Sequence, residues 1–325
     1  MKAIQYTHIG PPDVLKLVEL PRPVPESNQV VIKTQAISVN FADTQLRKGT
    51  YPVSASLPAI PGIEASGRIA ALGAAVKDLT MDQSVLYFGT SCYAEYILAD
   101  ADAVTPLPEG IDPDQAAALQ VNYLTAFHLM HTLGRIKAGE TLLCTAAAGG
   151  VGTAVMQLAR LAGVQSLGLT SSPEKIAFAR RQGAAHLINY TRENTVGRVL
   201  ELTRQHGVDL ILDSVQGPNF AKNFDMLAPL GRLIWFGSAA GPADVDLMTL
   251  MRQHASKSVS VSVFSLYSLL SRPNLWQSTL ARLIGYLASG QITPVIDSRF
   301  ELSRAARAHT ILESGQTRGK ILLKP

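Results

Sequence analysis

The turn at residues 146–152, AAAGGVG, stands between a short apolar run and a segment of helical periodicity, residues 151–162. Its spacing is that of a turn that binds the pyrophosphate of a dinucleotide. We expect Gly149 to let the chain bend sharply, Gly150 to let the backbone approach the pyrophosphate, and Gly152 to let the new helix pack on its strand. The anion would then contact unpaired N–H groups at the helix N-terminus. Because glycine-rich turns also occur by chance, the surrounding sequence has to support this interpretation.

A second strand-like run, residues 165–170, follows the helix at the distance expected of a right-handed βαβ unit. In NAD-specific sites an acidic residue commonly ends this strand and holds the ribose 2′-hydroxyl. Here residues 170–175 read TSSPEK, with hydroxyls at the strand end and a lysine in the next helix. Ser171 and Lys175 suit a 2′-phosphate, so the sequence favours NADPH over NADH. The alternative is that Ser172 only caps the helix and Lys175 is only a solvated charge.

Composition limits the classes of protein that this chain can be. Of its 325 residues 47% are apolar and 17% are charged, which is typical of a globular protein with two domains. The formal net charge of +4 comes from scattered basic residues, so no nucleic-acid partner is expected. The two cysteines, Cys92 and Cys144, lie outside any CxxC arrangement and are expected to be reduced. The lack of a signal-peptide core and of a long apolar run favours a cytoplasmic protein without a membrane partner.

The periodicity of the chain changes near residue 112. Before it, short alternating runs separated by Gly and Pro turns predict a compact barrel-like β domain. After it, six strand-like runs alternate with helical segments, as a doubly wound parallel sheet requires. The predicted strands of this sheet are residues 141–145, 165–170, 186–189, 208–213, 232–236 and 259–264. Two closing strands, at residues 295–300 and 320–324, resemble the first segment, so the second domain is expected to be inserted in a discontinuous first one.

Several stretches together resemble the zeta-crystallin-like quinone oxidoreductases of the medium-chain dehydrogenase/reductase superfamily. They are MKAIQY at the start, SVNFADTQLRKGTYP, IPGIEASG, residues 89–96, residues 139–160 around the glycine turn, and RGKILLKP at the end. The resemblance covers nearly the whole chain. It implies an α/β protein in which a GroES-like β-barrel-type domain, residues 1–122 and 266–325, joins a Rossmann domain, residues 123–265. It also implies that NADPH and substrate bind in the cleft between them.

The resemblance further implies which residues surround the NADPH. Those that match the family's motifs face the pyrophosphate, the 2′-phosphate or the nicotinamide: Thr125, Gly149, Gly150, Val151, Thr170, Ser171, Lys175, Tyr190, Ser214, Phe236, Gly237, Val263 and Phe264. For Tyr190 the alternative is that it packs at the end of its strand. Ordinary packing at a strand end is also the alternative for Ser214 and for the Val263-Phe264 pair.

One departure from the superfamily concerns zinc. Zinc-dependent alcohol dehydrogenases hold a catalytic metal with a cysteine early in the chain and with the histidine of a GHE motif. The corresponding positions here read Ser38-Val39-Asn40 and Gly62-Ile63-Glu64, so both ligands are missing. Two cysteines also cannot build a four-cysteine structural zinc site. The sequence therefore predicts that the protein holds no metal.

Without zinc, alcohol oxidation is disfavoured, because an alcohol needs its oxygen polarised before it gives up hydride. A quinone or a conjugated carbonyl is already electrophilic and needs mainly alignment. Asn40 is the candidate for hydrogen bonding near the ring, and Tyr51 for donating to a developing oxyanion or enolate. Asp43 is a candidate for orienting that loop. The alternatives are that Asn40 only holds a turn, Tyr51 only covers a hydrophobic edge, and Asp43 is structural.

Three functions remain open at this point. The first is an NADPH-dependent reductase of small quinones, and the second is reduction of an enal, enone or enoyl thioester with Tyr51 as the proton donor. The third is an NADPH-binding protein without turnover. Separately, residues 259–264 alternate serine with valine, which predicts a strand at the sheet edge that pairs two copies into a homodimer.

Overall fold

The structure is a computed structural model that describes residues 1–51, 53 and 56–325. Strands and helices are numbered in chain order. The strands are β1 (Lys2–Gln5), β2 (Lys16–Glu19), β3 (Gln29–Val39), β4 (Glu64–Leu72), β5 (Ser84–Phe88), β6 (Tyr96–Asp100), β7 (Val104–Pro106), β8 (Thr141–Cys144), β9 (Gln165–Thr170), β10 (His186–Asn189), β11 (Val208–Asp213), β12 (Leu227–Trp235), β13 (Ser260–Val263), β14 (Ile296–Glu301) and β15 (Lys320–Lys324). The α-helices are α1 (Phe41–Lys48), α2 (Pro113–Ala117), α3 (Gln120–Phe127), α4 (Gly150–Leu161), α5 (Pro173–Arg181), α6 (Thr195–Leu202), α7 (Lys222–Met226), α8 (Leu247–Gln253), α9 (Pro273–Ala288) and α10 (Ala305–Glu313).

The chain divides into two compact units. The first contains Met1–Val121 and Ile284–Pro325, and the second contains Asn122–Leu283. The second boundary differs from the one expected from sequence, because residues 266–283 belong to the second unit and not to the first. The reason is visible in α9, where the Arg282 guanidinium lies 5.7 Å from the ring centre of Phe127 within that unit. Such a contact is attractive, and it ties this part of α9 to the second unit.

The second unit is built on a six-stranded sheet in which neighbouring strands run parallel. The strand order is β10-β9-β8-β11-β12-β13. This is the doubly wound order 3-2-1-4-5-6, counted from β8. Leu143 of β8 lies opposite Leu167 of β9, and both side chains are fully buried. All six strands therefore end at the same edge of the sheet, and the strands from β8 to β12 contribute buried apolar side chains to the core of this unit.

The first unit contains a mixed sheet with the strand order β14-β15-β3-β4-β5-β7, and β6 also pairs with β3. Strands β1 and β2 form a separate antiparallel pair. The last strand of the chain, β15, runs antiparallel to β3, with Leu322 opposite Ser38 and Ile321 opposite Val39. This pairing brings the beginning of β15 beside the end of β3, where Asn40 follows. The register of these two strands thereby brings Lys320 into contact with Asn40, although the two residues are 280 positions apart in sequence.

The predicted fold class is confirmed, and four strands, β9, β10, β11 and β15, have the predicted bounds. Strand β13 lies at the sheet edge, as the alternation of serine and valine predicted. Helices α1 and α8 were missed, because eight and seven residues give helical periodicity little length in which to show. Among the described residues, none of the helices combines the length and the apolar character needed to cross a bilayer.

Candidate functional site

The glycine turn connects β8 to α4, and its backbone corrects one expectation. Gly149 is the N-cap of α4 and has an extended conformation, with φ −78° and ψ 178°. The residue in the left-handed region is Ala146, with φ 49°. The sharp bend therefore lies at Ala146 and not at Gly149.

The two following glycines have different packing roles. A Cβ added to Gly152 would lie 2.7 Å from Cα of Ala147, so only glycine lets α4 approach the turn this closely. A Cβ added to Gly150 would lie 2.6 Å from Nδ2 of Asn122, the first residue of the second unit. The missing side chain at Gly150 thus makes room for the amide of Asn122, a reason that the sequence pattern did not suggest.

The beginning of α4 has the chemistry of an anion site. Its first intrahelical hydrogen bond is donated by the Thr153 N–H to the Gly149 carbonyl over 2.8 Å. The N–H groups of Gly150, Val151 and Gly152 precede it and have no acceptor within the helix. Together with the positive end of the helix dipole they suit a pyrophosphate.

Next to this turn, the ends of β9 and β10 hold the residues predicted for the 2′-phosphate. The Tyr190 N–H donates to the Thr170 carbonyl over 3.1 Å, and the Thr191 hydroxyl donates to the Ser171 carbonyl over 3.4 Å. The Tyr190 side chain is 51% exposed, so about half of its surface is open to solvent at the strand end. Within the described part of the chain, Oγ1 of Thr170 is buried and accepts or donates no hydrogen bond.

The cap predicted as the alternative at the start of α5 is present. The Lys175 N–H donates to Oγ of Ser172 over 3.3 Å, so Ser172 is the N-cap. This hydrogen bond uses only the backbone of Lys175, whose side chain is partly exposed. The capping role of Ser172 and a phosphate-binding role of the Lys175 ammonium are therefore compatible.

The loops after β8 and β11 are held together by Asp213, which sequence reasoning missed. Its buried carboxylate accepts hydrogen bonds from the Thr145 hydroxyl over 3.1 Å and from the Val215 N–H over 2.8 Å. The Thr145 hydroxyl in turn accepts the Ser214 N–H over 2.9 Å. A Cβ at Gly237 would lie 3.0 Å from the Ser214 carbonyl oxygen. The signal for Asp213 was available, because an acid follows directly after the apolar residues Leu210-Ile211-Leu212 at the end of the strand.

The remaining predicted cofactor residues differ in exposure. Thr125 lies on α3 and is 7% exposed. Val263, the last residue of β13, is 60% exposed, whereas Phe264 is 6% exposed and its N–H donates to the Trp235 carbonyl over 2.9 Å. Phe236 follows β12 and is half-buried. Burial of Phe264 is what the strand-end packing alternative requires, while the Val263 side chain is open.

In the first unit, Asn40 belongs to a buried polar cluster. Its amide nitrogen Nδ2 donates to Oε1 of Glu64 over 3.1 Å, and its oxygen Oδ1 accepts from Nζ of Lys320 over 2.5 Å. Nζ of Lys320 also lies 2.9 Å from Oε1 of Glu64. The other oxygen of Glu64 accepts the Val121 N–H over 2.8 Å. Sequence reasoning missed Lys320, although a lysine directly before the apolar run of β15 was a possible signal.

Asp43 orients the loop around Asn40, as proposed from the sequence. Its Oδ2 accepts the Asn40 N–H over 2.8 Å and the Tyr93 hydroxyl over 3.1 Å. Nε2 of His309 lies 3.0 Å from the same hydroxyl. Burial raises the pKa of Asp43 to about 7, against the hydrogen bonds it accepts and the nearby Lys320 ammonium. Burial also lowers the pKa of His309 to about 3, so this imidazole is neutral.

Tyr51, the other predicted catalytic residue, lies three residues beyond the end of α1. Its side chain is partly exposed. Its neighbour Pro52, part of the same GTYP motif, lies outside the described residues. Gly49 ends α1 with φ 72°, the left-handed conformation that favours glycine, and so turns the chain toward Tyr51.

The residues at the zinc-ligand positions do not fit zinc. Ile63 stands where the GHE motif has its histidine, and its side chain has no ligand atom. In the other motif, the Ser38 hydroxyl donates to the Ala117 carbonyl over 2.7 Å, and the Asn40 amide oxygen accepts from Nζ of Lys320. Burial raises the pKa of Cys92 well above its usual value, so this side chain is a thiol. In residues 1–51, 53 and 56–325, no group of three or more His, Cys, Asp or Glu side chains is arranged to hold a metal.

Comparison with known proteins identifies the family. Residues 26–109 match the alcohol dehydrogenase GroES-like domain, and residues 182–323 match the zinc-binding dehydrogenase family. The quinone oxidoreductase of Pseudomonas aeruginosa is 36% identical over 100% of this chain and 99% of its own length. The chain belongs to the quinone oxidoreductase family. The pig (Sus scrofa) quinone oxidoreductase is 34% identical over 99% of this chain and 97% of its own.

Solved structures of this family have the same fold. The Escherichia coli quinone oxidoreductase complexed with NADPH has a TM-score of 0.94 at 32% identity, with both chains fully covered. A mycobacterial protein complexed with NADPH has a TM-score of 0.93 at 32% identity, again over the whole of both chains. The family resemblance found in the sequence is thereby confirmed.

Asp43 gives a testable pH dependence. Its folded-state pKa of about 7 lies above the ordinary carboxyl value of 3.8, so folding favours the protonated form. This stabilisation is fully present below about pH 4 and is lost as the pH rises through 7. We expect the stability advantage of the wild type over Asp43→Asn to fall by up to about 1.4 kcal/mol per pH unit in this window. Urea unfolding followed by circular dichroism at several pH values measures it.

The comparison between the two proteins is essential, because carboxylates of opposite behaviour change the stability of both proteins at the acidic end of the pH series. Ion pairs and hydrogen bonds lower the pKa of Asp114 and Glu140 despite their partial burial, and both residues are unchanged in the variant. Parallel stability curves for wild type and Asp43→Asn would show that Asp43 is ionised throughout.

Proposed function

We propose that this protein is an NADPH-dependent reductase of small quinones that works without zinc. The observation that carries the proposal is the corner formed by the ends of β9 and β10. It presents Ser171, Lys175 and Tyr190 around a strand end that carries no carboxylate. A 2′-phosphate fits these groups, whereas the acid that would select NADH is missing. Full-length similarity to proteins named quinone oxidoreductase supports the same conclusion. Two of the solved structures that share the fold of this chain are complexed with NADPH.

When bound, NADPH supplies the reducing electrons. The N–H groups at the beginning of α4 would hold its pyrophosphate, and the Lys175 ammonium would pair with its 2′-phosphate. Thr125, Ser214, Gly237 and the exposed Val263 are the residues proposed to border the rest of the cofactor. The buried Asp213 positions one of them, since its carboxylate fixes the loop after β11.

The acceptor is proposed to be a quinone because described residues of the first unit offer hydrogen-bond donors, and because Ser38-Val39-Asn40 and Gly62-Ile63-Glu64 lack the cysteine and the histidine that would hold zinc. Asn40 retains one N–H of its amide beyond the hydrogen bond to Glu64. Tyr51 adds a hydroxyl on a partly exposed side chain. Donors of this kind stabilise the oxyanion that develops on a quinone oxygen. They do not polarise an alcohol strongly enough for hydride removal, which is the task of a metal.

Lys175 provides the test of the cofactor. We expect Lys175→Ala to raise the Michaelis constant for NADPH by about 5- to 150-fold, equivalent to a charge-assisted hydrogen bond of about 1–3 kcal/mol, and to change that for NADH little. Arg181→Ala removes the same charge from the other end of α5 and serves as the control. Equal effects of Lys175→Ala on both coenzymes would show that this ammonium does not bind the 2′-phosphate.

The acceptor is tested by steady-state assays with NADPH against 1,4-benzoquinone, 9,10-phenanthrenequinone, 2-hexenal and crotonyl-CoA. We expect turnover with the quinones. The variant Tyr51→Phe separates the alternative function, because alkene reduction needs a proton donor while a quinone needs only a hydrogen bond. Retained quinone activity with lost alkene reduction would assign Tyr51 as that donor. Stoichiometric NADPH binding with no turnover on any acceptor would contradict the proposed function and favour a binding protein.

We also propose that the protein is a homodimer joined through β13. This strand pairs only with β12 among the described strands, and Ser260, Ser262 and Val263 are exposed. An open strand edge of this kind favours pairing with a second copy. Sedimentation velocity is expected to give about twice the chain mass of 34.8 kDa for the wild type and for the control Ser278→Lys, and the chain mass for Ser262→Lys. A wild-type monomer would rule the dimer out.

A further inference from the structure

Lys320 is a lysine whose ammonium lies inside the first unit. Lys320 is 4% exposed. Its Nζ donates to Oδ1 of Asn40 over 2.5 Å and forms an ion pair with Oε1 of Glu64 over 2.9 Å. Gly319 delivers it there, with φ 92° and a backbone that leaves no room for a Cβ beside Val295. The Lys320 N–H also donates to the Val295 carbonyl over 2.8 Å. Both the backbone and the charged end of this residue are therefore fixed.

The two partners of Asn40 determine which way its amide points. An ammonium can only donate hydrogen bonds, and an ionised carboxylate can only accept them. The amide oxygen must therefore face Lys320, and the amide nitrogen must face Glu64. The flipped amide would set donor against donor and acceptor against acceptor at both ends. Of the two N–H groups on Nδ2, one is used by Glu64 and the other remains available.

The same ammonium balances the buried charge around Asn40. Glu64 is 1% exposed, and an ionised carboxylate at such a site is costly without a paired cation. The Lys320 ammonium also favours ionisation of Asp43, which holds the backbone N–H of Asn40. Removing Lys320 would leave these carboxylates without this cation and the Asn40 amide without one of the two groups that select its orientation.

We propose that Lys320 is a positioning residue whose ammonium, together with Glu64, holds the Asn40 amide in the one orientation that presents Nδ2–H as a donor to the acceptor's carbonyl oxygen. The inference rests on the proposed function, since it assigns to Asn40 a task in the reduction of a quinone. Lys320 itself acts through Asn40. It is the charge of Lys320, and not its bulk, that the role requires.

A double-mutant cycle tests this. We expect Lys320→Met and Asn40→Ala each to lower the kcat for 1,4-benzoquinone at saturating NADPH by about ten- to hundredfold. The doubly substituted protein is expected to be no slower than Asn40→Ala alone, because Lys320 acts only through that amide. Multiplying effects would show an independent structural role and overturn the proposal. The control is Lys324→Met, which removes a lysine paired with Asp114 from the same strand and should leave kcat unchanged.

Lys320→Met leaves the Glu64 carboxylate without its ion-pair partner. It is therefore matched by a variant that removes both charges of this pair, Glu64→Gln/Lys320→Met, which we call the charge-free variant. It buries no uncompensated ion and so avoids that cause of unfolding. A glutamine both donates and accepts, so it does not select an amide orientation, and the same loss of kcat is expected. If the charge-free variant had the same kcat as the wild type, the proposal would be overturned.

A second readout does not depend on activity. In protein labelled with 15N-asparagine, the side-chain signals of Asn40 are identified by their loss in Asn40→Ala. We expect the Nδ2 protons of Asn40 to exchange with solvent at least about tenfold faster in the charge-free variant than in the wild type. If the exchange rates and chemical shifts of the Nδ2 protons were the same in both proteins, Lys320 and Glu64 would not hold the Asn40 amide in one orientation. If the wild type reduces no quinone, the proposed function fails while this measurement still decides the role of Lys320.

Discussion

The parallel direction of the six strands in the second unit is the constraint on which the candidate cofactor site depends. Because all carboxyl ends meet at one edge, residues that follow different strands come to lie along the same line. Gly149, Ser171, Tyr190, Ser214 and Phe236 follow five successive strands of the chain in this way. Between residues 149 and 236 the chain thus returns to one edge five times. Backbone N–H groups, hydroxyls and a lysine that are far apart in sequence thereby follow strands that end at one edge of the sheet.

In the first unit the constraint is different, because buried polar groups need hydrogen-bond partners within the protein. Register places the beginning of β15 beside the end of β3, and Lys320 thereby meets Asn40 and Glu64. Each group satisfies another, and the arrangement has direction, because a cation and an anion flank an amide that has one donating end and one accepting end. Burial of Asp43 in the same region leaves a carboxyl whose pKa of about 7 is sensitive to that cation.

Local signals predicted the elements of the second unit well. Apolar runs of four to six residues bounded by turns gave β9, β10 and β11 their bounds, and the glycine spacing located the beginning of α4. The roles of individual glycines were less predictable. Whether Gly149 or Ala146 carries the left-handed conformation depends on how α4 meets β8. That Gly150 makes room for Asn122 depends on a side chain 28 positions earlier, which no short motif contains.

By itself, the sequence determined the fold class, the family, the place of the glycine turn and the absence of the two zinc ligands from Ser38-Val39-Asn40 and Gly62-Ile63-Glu64, because these follow from periodicity and from residue identity at fixed spacing. Only the tertiary structure decided which groups face one another. Lys320 and Asp213 were missed for this reason, since a charge acquires its role from the partners that strand pairing brings to it. Pairing between β3 and β15 depends on the whole sheet, so the local sequence of neither strand predicts it.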